Sequence, residues 1–366
     1  MNVRHLALLV LVIAACDGGR SGPHGAGNGT GPDGTGKSGN LDPNVDSDGD
    51  GYTPNTGDCD DSTPLVGPNS VEVAGNGIDD DCDGQIDNVA SCDDAVAGQK
   101  TSDALAKAMG ICTPKFLTAS KFNGPSDPKA RNTIAKLGIV AALEGKAMAF
   151  ISNGDASNLP GYNPQPGTDL GGFLGSNSYA NPYKTLPMPP ANGCGMGTPD
   201  TVQDYTELEL DLTVPFNANS FSFQSQFFSA EYPEFVCTEF NDRFLVIVDD
   251  GGGMPQQIEF DQQMNPVSVN NGFFTICKND NSKPQTKHCT HPVADIQGSG
   301  YDIDQGGSPV GGSTGWLTTT APVTPGDKIK LRFIIFDEGD GILDSSALID
   351  NFQWQTGVVA GPVTVQ

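Results

Sequence analysis

A stretch near the N-terminus, residues 41–95, contains fifteen aspartates and glutamates and not one lysine or arginine. It carries more than half of the formal net charge of −26 that the 366-residue chain has at pH 7. These like charges repel one another, and the segment has too few large apolar residues to build a core. Bound cations must therefore supply folding free energy here. The same acidity repels phosphate backbones, which excludes nucleic acid as a partner.

Within this segment a pattern of alternating aspartates, D-x-D-x-D-G, occurs twice. Oxygens at positions 1, 3 and 5 of such a loop converge on one ion, and the glycine permits the turn that brings the position-7 carbonyl to it. Hard oxygen ligands favour Ca²⁺ over zinc or copper. The predicted ligands are Asp46, Asp48, Asp50 and Tyr52 in the first copy, and Asp79, Asp81, Asp83, Gln85 and Asp87 in the second.

Neither copy ends in the glutamate of a helix–loop–helix calcium loop, because position 12 is Gly57 or Ala90. The missing ligands are expected from three aspartates around Cys59, namely Asp58, Asp60 and Asp61. The order DxDGDGY…GDCDD…GIDxDCDGxxD resembles the MopE-type metal-binding repeat of myxobacterial and other bacterial surface proteins. This resemblance implies a small, loop-rich, disulfide-closed, calcium-binding module over residues 42–90. The alternative is a disordered acidic linker.

The first residues of the sequence are predicted to form an export signal. Residues 6–14 are uninterrupted apolar, and as a helix they would rise only about 14 Å, too short for a bilayer core of about 30 Å. The ending Ile13-Ala14-Ala15-Cys16 resembles a bacterial lipobox, which implies lipidation of Cys16 and attachment to a membrane through that lipid. The alternative is an ordinary signal that leaves the thiol unmodified. Residues 1–15 are therefore a predicted signal peptide, and the Gly-rich residues 16–41 a predicted disordered tether.

Nine cysteines fit an exported protein, because eight remain once Cys16 is lipidated. Eight cysteines allow 105 connectivities, and zinc or catalytic thiols are a further alternative that suits the compartment poorly. Proximity in sequence suggests the simplest set of disulfides, Cys59–Cys82, Cys92–Cys112, Cys277–Cys289 and, by remainder, Cys194–Cys237.

The rest of the chain favours β structure. Gly and Pro together number 74 of 366 residues, which excludes a helical bundle. Residues 91–140 are predicted to be a short helical connector with helices over 102–109 and 128–137, the second capped by Asp127. From residue 141 the pattern alternates, and strands are predicted at 207–214, 220–227, 244–248 and 328–336. Strands without intervening helices predict an antiparallel β-sandwich over residues 141–357.

Several blocks of this β region resemble the choice-of-anchor L domain of bacterial surface proteins. The specific ones are SAEYPEF…FND, within residues 223–250, and FDEGDGILDS, within residues 329–352. MAFISNGDASN at 148–158 and PGTDLGG at 166–172 also match, although Asn153 departs from the family's S-T-G-D pattern. The resemblance implies a β fold and a location at the cell surface or outer membrane. It implies no established reaction.

Both specific blocks are loops rich in oxygen ligands. They suggest a second metal or ligand site formed by Glu231, Glu234, Asp242, Asp337, Asp340 and Asp344. The alternative is ordinary turn chemistry with solvated carboxylates. The aromatic series Phe221, Phe223, Phe227 and Phe228 is expected in the sandwich core.

No catalytic motif is evident. The chain has no G-x-S-x-G elbow, P-loop or H-E-x-x-H, and His288 and His291 flank a cysteine in a polar loop more typical of a hairpin than of a zinc site. We therefore expect a non-catalytic, lipid-anchored, calcium-binding surface protein for adhesion or recognition of a glycan or matrix protein. The alternatives are a polysaccharide hydrolase using acidic loop residues such as Glu231 and Asp344, and a purely structural envelope protein.

Overall fold

The computed structural model describes residues 42–88, 91–93, 96–112, 114–156, 178–185, 194, 199–279, 289–302, 311–341 and 343–366. The predicted signal peptide, the tether with Cys16, the PGTDLGG block and His288 lie outside the described residues. The described residues belong to one compact unit.

Two sheets, each of seven antiparallel strands, form the sandwich. The strands of the first sheet are β1 (Leu117–Asn123), β6 (Tyr179–Ala180), β7 (Thr201–Thr213), β9 (Arg243–Asp249), β10 (Gln256–Gln257), β11 (Val267–Ser268) and β14 (Lys328–Asp337). Their order in the sheet is β1-β7-β14-β9-β10, with β6 beside β7 and β11 beside β9.

The strands of the second sheet are β2 (Arg131–Ile134), β5 (Met148–Ser152), β8 (Ser220–Ser229), β12 (Gly312–Ser313), β13 (Leu317–Pro322), β15 (Ser345–Gln355) and β16 (Val363–Val365). Their order in the sheet is β16-β13-β8-β15-β5-β2, with β12 beside β8. The mainly β, antiparallel sandwich expected from the alternating pattern is confirmed.

Little regular structure lies outside the two sheets. A two-stranded ladder joins β3 (Lys136–Leu137) to β4 (Val140–Ala141), and α1 covers Ser102–Ala108. Short 3₁₀ turns occur at Pro54–Thr56, Pro128–Ala130 and Val293–Ile296. Within the described ranges, no helix has the length and apolar character needed to cross a membrane.

The main core lies between the sheets and is aromatic. Phe221, Phe223 and Phe227 alternate along β8, so that they share the face turned toward the first sheet. Phe223 packs edge-on against Phe333 of β14, with ring centroids 5.3 Å apart, and this pair joins the two sheets. Phe228 points the other way and packs on Tyr301 in a second cluster. All four phenylalanines of the predicted core series are fully buried.

The outer face of β7 carries carboxylates that are also buried. Glu209 lies opposite Lys121 on β1 and Arg332 on β14, and Arg332 Nε donates to its Oε2 at 2.8 Å. Burial alone would raise the pKa of Glu209, but hydrogen bonds from Arg332, Asn123 and Lys121 hold it at about 2. Strict alternation in sequence therefore marks a face covered by ion pairs rather than one open to solvent.

The four predicted strands are confirmed, and one predicted helix is wrong. The helix expected over residues 102–109 is α1, and Thr101 caps it by accepting a bond from Ala104 N at 3.2 Å. The helix expected over 128–137 is a single 3₁₀ turn, which Asp127 caps as expected, followed by β2. Asn132 is fully buried there, and its side chain donates to the carbonyl of Ala156 at 3.2 Å. Pairing with β5 outweighs the local helical pattern.

β structure thus begins at Leu117, within residues 91–140, where a helical connector was expected. Strand β1 pairs with β7 of the first sheet, and β2 pairs with β5 of the second. The four disulfides join the cysteines in the expected pairs, Cys59–Cys82, Cys92–Cys112, Cys194–Cys237 and Cys277–Cys289.

One core carboxyl leads to a pH-dependent prediction. Glu259 is fully buried with Ser225 as its hydrogen-bond donor, and burial raises its pKa to about 8. The folded state therefore keeps a proton that the unfolded state releases above about pH 4.5, and stability falls as pH rises from about 4.5 to 8. Glu259→Gln is expected to stabilise the chain by about 4 kcal/mol at pH 8, at about 1.4 kcal/mol per pKa unit, and little at pH 4. Urea unfolding at both pH values tests this, with exposed Glu239→Gln as the control; equal gains at both would contradict it.

Candidate functional site

The first acidic loop gathers its three alternating aspartates around one point. Asp46 accepts backbone N–H bonds from Gly49 at 2.7 Å and Gly51 at 3.0 Å, while Asp48 accepts from the N–H of Asp50 at 3.1 Å. Gly49 and Gly51 have positive φ, a conformation that glycine adopts without strain. One carboxylate oxygen from each of Asp46, Asp48 and Asp50 lies within 4.8 Å of the others. The fourth predicted ligand, Tyr52, follows this loop, and its N–H donates to Asp50 Oδ1 at 2.7 Å.

Asp48 belongs to a second group as well. Its carboxylate lies within 4.8 Å of those of Asp58 and Asp61, two of the three aspartates expected to complete the site. The N–H and hydroxyl of Ser47 donate to the two oxygens of Asp61, both at 2.8 Å, and hold this segment against the first loop. Asp60 lies outside both groups, and its Oδ1 accepts from the hydroxyl of Ser62.

The second loop forms a third group, in which Asp79 and Asp81 lie near Glu72. Glu72 also accepts from the N–H of Asp81 at 3.1 Å. Sequence reasoning missed Glu72 because it lies outside the D-x-D-x-D-G spacing, between two valines; the only signal was that it is the one glutamate of the acidic segment.

The remaining predicted ligands of the second copy have other contacts. Asp83 is bonded by the side chain of Asn88 and by the N–H of Gln85, both within 3 Å. Asp87 accepts from the N–H groups of Gly75 and Asn76 and so closes the preceding turn. Neither Asp83 nor Asp87 joins a three-carboxylate group among the described side chains.

The chemistry of the groups fits a cation. Asp48 Oδ2, Asp58 Oδ2 and Glu72 Oε2 are buried and accept no hydrogen bond. Burial, aided by the nearby charges of Asp50, Asp48 and Asp61, raises the pKa of Asp58 to about 6. Buried anionic oxygens without donors are unfavourable unless a cation or proton neutralises them. Residues 42–88 therefore have the oxygen ligands, the negative charge and the buried acceptor oxygens without hydrogen bonds that are typical of a metal-binding site.

The module is tied to itself and to the sandwich. The disulfide Cys59–Cys82 joins the segment after the first loop to the second loop. Asn217 of the sandwich bonds to both the N–H and the carbonyl of Val71, at 3.1 and 2.7 Å. The N–H of Phe216 donates to the carbonyl of Asn69 at 3.0 Å. The acidic module is thus packed against the sandwich, which is called the head below.

A cleft of about 430 Å³ lies where the module meets the sandwich. Its walls include Glu72, Asp81 and Asn88 from the module, and Phe116, Phe352 and Trp354 from the rest of the chain. The half-buried Trp354 packs edge-on against Phe352, with ring centroids 5.1 Å apart. Glu72 Oε2 and Asn88 Oδ1 are both acceptors without a hydrogen-bond donor. The cleft therefore combines aromatic surface with acceptor groups that lack partners.

The second predicted site divides between buried and partly exposed residues. Glu231, Asp242, Asp337 and Asp344 are all at most 3% exposed, and strand ends of both sheets place them together. Glu234 and Asp340 are only half-buried. Burial, reinforced by neighbouring carboxylates, raises the pKa of Glu231 and Asp337, and burial raises that of Asp242 to about 6.

Family models agree with this arrangement. The choice-of-anchor L domain model matches residues 150–353, and a model described as "Putative metal-binding motif", of the MopE type, matches residues 58–88. Both resemblances noted in the sequence are confirmed. The metal-binding match contains all of the third acidic group and two members of the second, Asp58 and Asp61, whereas Asp46, Asp48 and Asp50 precede it.

Other comparisons add little. No curated protein matches the chain. Among solved structures, the carbohydrate-binding module TmCBM61 in complex with β-1,4-galactotriose matches 65% of this chain and 88% of its own, with 10% identity and a TM-score of 0.27. A likeness at that level carries no argument about the ligand of the present chain.

The choice-of-anchor L match covers more than half of the chain, and it coincides with the sandwich described above. Such domains occur on bacterial cell-surface proteins. The chain therefore belongs to the choice-of-anchor L domain family and carries a MopE-type metal-binding motif in front of that domain.

Proposed function

We propose that this chain is a calcium-binding bacterial surface protein that holds a neutral glycan in the cleft between its acidic module and its sandwich. One observation carries the proposal. Glu72 and Asp81 line the cleft and also belong to one three-carboxylate group. An ion on that group would fix two side chains in the wall of the cleft, so that calcium would favour binding of a ligand that fits the ordered wall.

Calcium is the ion that suits the module. All the grouped ligands are carboxylates, and Ca²⁺ accepts six to eight oxygen ligands in flexible geometry. Zinc and copper favour nitrogen and sulfur ligands, and the module's two cysteines are joined in a disulfide.

A neutral, hydroxyl-rich ligand suits the cleft. Its volume lies within the range of about 300–1,000 Å³ that is usual for small-ligand sites. Asn88 Oδ1 needs a donor, which a sugar hydroxyl supplies and which also satisfies this buried acceptor. Trp354 offers an aromatic face beside it. The acidity of the chain disfavours anionic ligands.

Attachment to the cell would come from the N-terminus. The lipobox ending at Cys16 supports a lipid anchor, and the Gly-rich stretch 18–40 of the predicted tether would span roughly 25–30 Å as a coil. Acyl chains contribute about 0.8 kcal/mol per buried CH₂, so two or three of them hold a protein firmly. The sandwich would then lie at the surface of the outer membrane or cell.

A binding role is favoured over hydrolysis. The carboxyl pair named above for hydrolysis, Glu231 and Asp344, is only 3% exposed at both positions, so neither carboxyl is open to a polymeric substrate. A purely structural envelope role would require the cleft to bind nothing, and the following experiment distinguishes it.

The detergent-solubilised full-length chain is applied to an array of neutral bacterial and plant-type glycans, once with 1 mM Ca²⁺ and once with a chelator. Binding is expected only with calcium. Trp354→Ala is expected to lower the affinity for the best glycan at least about tenfold, because aromatic anchors dominate binding energy. Trp316→Ala is the matched control, since Trp316 is half-buried in a different cluster and leaves the cleft intact.

Three outcomes would overturn the proposal: no glycan bound in either condition, equal binding with calcium and with chelator, or equal losses for the two tryptophan variants. Binding to a matrix protein instead of any glycan would retain surface recognition but exclude the glycan.

A further inference from the structure

A second cluster of acidic side chains lies at one end of the sandwich, away from the module. Asp337 ends β14, Asp242 precedes β9, Asp344 precedes β15, and Glu231 follows β8. Asn153 follows β5. These strand ends meet because the strands are antiparallel neighbours, with Phe336 of β14 opposite Arg243 of β9 in one sheet.

In the other sheet, Ser345 at the start of β15 lies opposite Ser229 at the end of β8, and Ser346 lies opposite Ser152 at the end of β5. Two sheets and five strands therefore contribute to a single cluster. An interaction that joins the side chains of this cluster would hold the two sheets together at this end of the sandwich.

Asn153 orients two of the carboxylates. Its side-chain N–H₂ donates to Asp242 Oδ2 at 2.9 Å and to Asp337 Oδ1. Its own carbonyl oxygen is fixed by the N–H of Ser345 at 2.6 Å, and the Ser345 hydroxyl also donates to Asp242 Oδ2, at 2.7 Å. One oxygen of each aspartate is thus engaged by a neutral donor.

The other two oxygens are not engaged by a neutral side chain. Asp242 Oδ1 and Asp337 Oδ2 are buried without such a donor, the two carboxyl groups lie within hydrogen-bond reach of each other, and the residues are 0% and 1% exposed. The one arginine beside the cluster, Arg243, pairs with Glu338, its Nε lying 2.6 Å from Oε1. Glu231, Asp242 and Asp337 form no ion pair with lysine or arginine in the part of the chain that is described. Burying several carboxylates this close together is strongly unfavourable unless a cation or a proton neutralises them.

We propose that a divalent cation, Ca²⁺, binds between Asp242 Oδ1 and Asp337 Oδ2, with Glu231 and Asp344 completing its carboxylate ligands. All of these are hard oxygen ligands of the kind that Ca²⁺ prefers. The module's groups are tighter, since each brings three ligand atoms within 4.8 Å, whereas the described side chains here do not. The ion fastens the strand ends of both sheets and does not depend on the module or on the cleft.

The competing explanation is that protons alone neutralise the cluster. Native mass spectrometry of the calcium-loaded full-length chain distinguishes the two. Asp337→Asn, which keeps the shape and removes the charge, is expected to carry one Ca²⁺ fewer than the wild type. The matched control is Glu259→Gln, which removes an equally buried carboxyl outside the cluster and is expected to leave the ion count unchanged.

Crystals of the wild-type chain soaked with Tb³⁺ give a second measurement that does not depend on a variant folding. An anomalous peak between Asp242 and Asp337, about 2.3–2.6 Å from their oxygens, would support the site. An unchanged ion count in a folded Asp337→Asn variant would overturn the proposal. So would a map with Tb³⁺ in the module and none at Asp242 and Asp337.

Discussion

Replacing Asp48 with asparagine is expected to lower the calcium affinity of the acidic module at least about tenfold, because ligand charge tunes the affinity of such loops. Among the described residues, Asp48 is the one aspartate that belongs to two carboxylate groups, and its Oδ2 is buried without a donor. An amide at this position weakens both groups at once. Titration of the full-length chain with a competing fluorescent calcium chelator measures the change.

Asp60→Asn is the matched control for this prediction. Asp60 lies in the same acidic segment, between Asp58 and Asp61, yet it belongs to no group and accepts a bond from Ser62 instead. Its replacement is expected to change the affinity less than twofold or so, since a single screened charge nearby contributes little. If Asp48→Asn and Asp60→Asn weaken binding equally, general electrostatic attraction rather than a defined site holds the ion.

Removing the ring of Phe223 is expected to have the largest effect on stability. Phe223 is fully buried on β8 and packs edge-on against Phe333 of the opposite sheet. Phe223→Ala removes this contact and leaves a cavity between the sheets, which is expected to lower the free energy of unfolding by about 3–5 kcal/mol. Urea unfolding in saturating calcium, followed by near-ultraviolet circular dichroism, measures the loss.

Two further variants serve as comparisons. Phe223→Leu is expected to lower the free energy of unfolding less than Phe223→Ala does, because leucine keeps most of the buried apolar volume. Val358→Ala, at a side chain that is 81% exposed, is expected to lie within about 0.5 kcal/mol of the wild type. A loss below about 1 kcal/mol for Phe223→Ala would show that the sheets do not pack as described.

The sequence predicted the parts of the fold that rest on local patterns. The alternation of Leu208, Leu210 and Leu212 with polar residues marks β7, and all three leucines are buried in the core between the sheets. Spacing within each D-x-D-x-D-G copy likewise brought Asp46, Asp48 and Asp50 together, because the loop conformation is set by its own glycines and backbone bonds.

What depends on distant contacts could not be read in this way. Glu72 reaches Asp81 only through the fold of its own turn, and Asn153 acquires its role from two aspartates that lie 89 and 184 residues further along the chain. The wrong helix over 128–137 has the same origin, since burial of Asn132 and pairing with β5 decide its conformation. The cleft joins segments from three parts of the sequence, and no local pattern marks it.

Because the module packs on the sandwich, an ion bound in the module affects more than the module itself. If the module were joined to the sandwich only by a flexible linker, loss of the proposed ion would lower the stability of the module alone. Here Asn217 binds Val71, and the carboxylates of the Glu72 group line a cleft shared with Trp354. Loss of the ion would therefore alter the surface that the head presents as well as the module itself.

Calorimetric titration of Ca²⁺ into the metal-stripped full-length chain, with disulfides intact, tests the central claim most directly. We predict saturable binding of at least two ions, with dissociation constants near 10⁻⁴–10⁻³ M as is usual for extracellular calcium modules, and a thermal transition that moves upward with calcium as mass action requires. A titration without binding heat, together with a melting curve that a chelator leaves unchanged, would contradict the account.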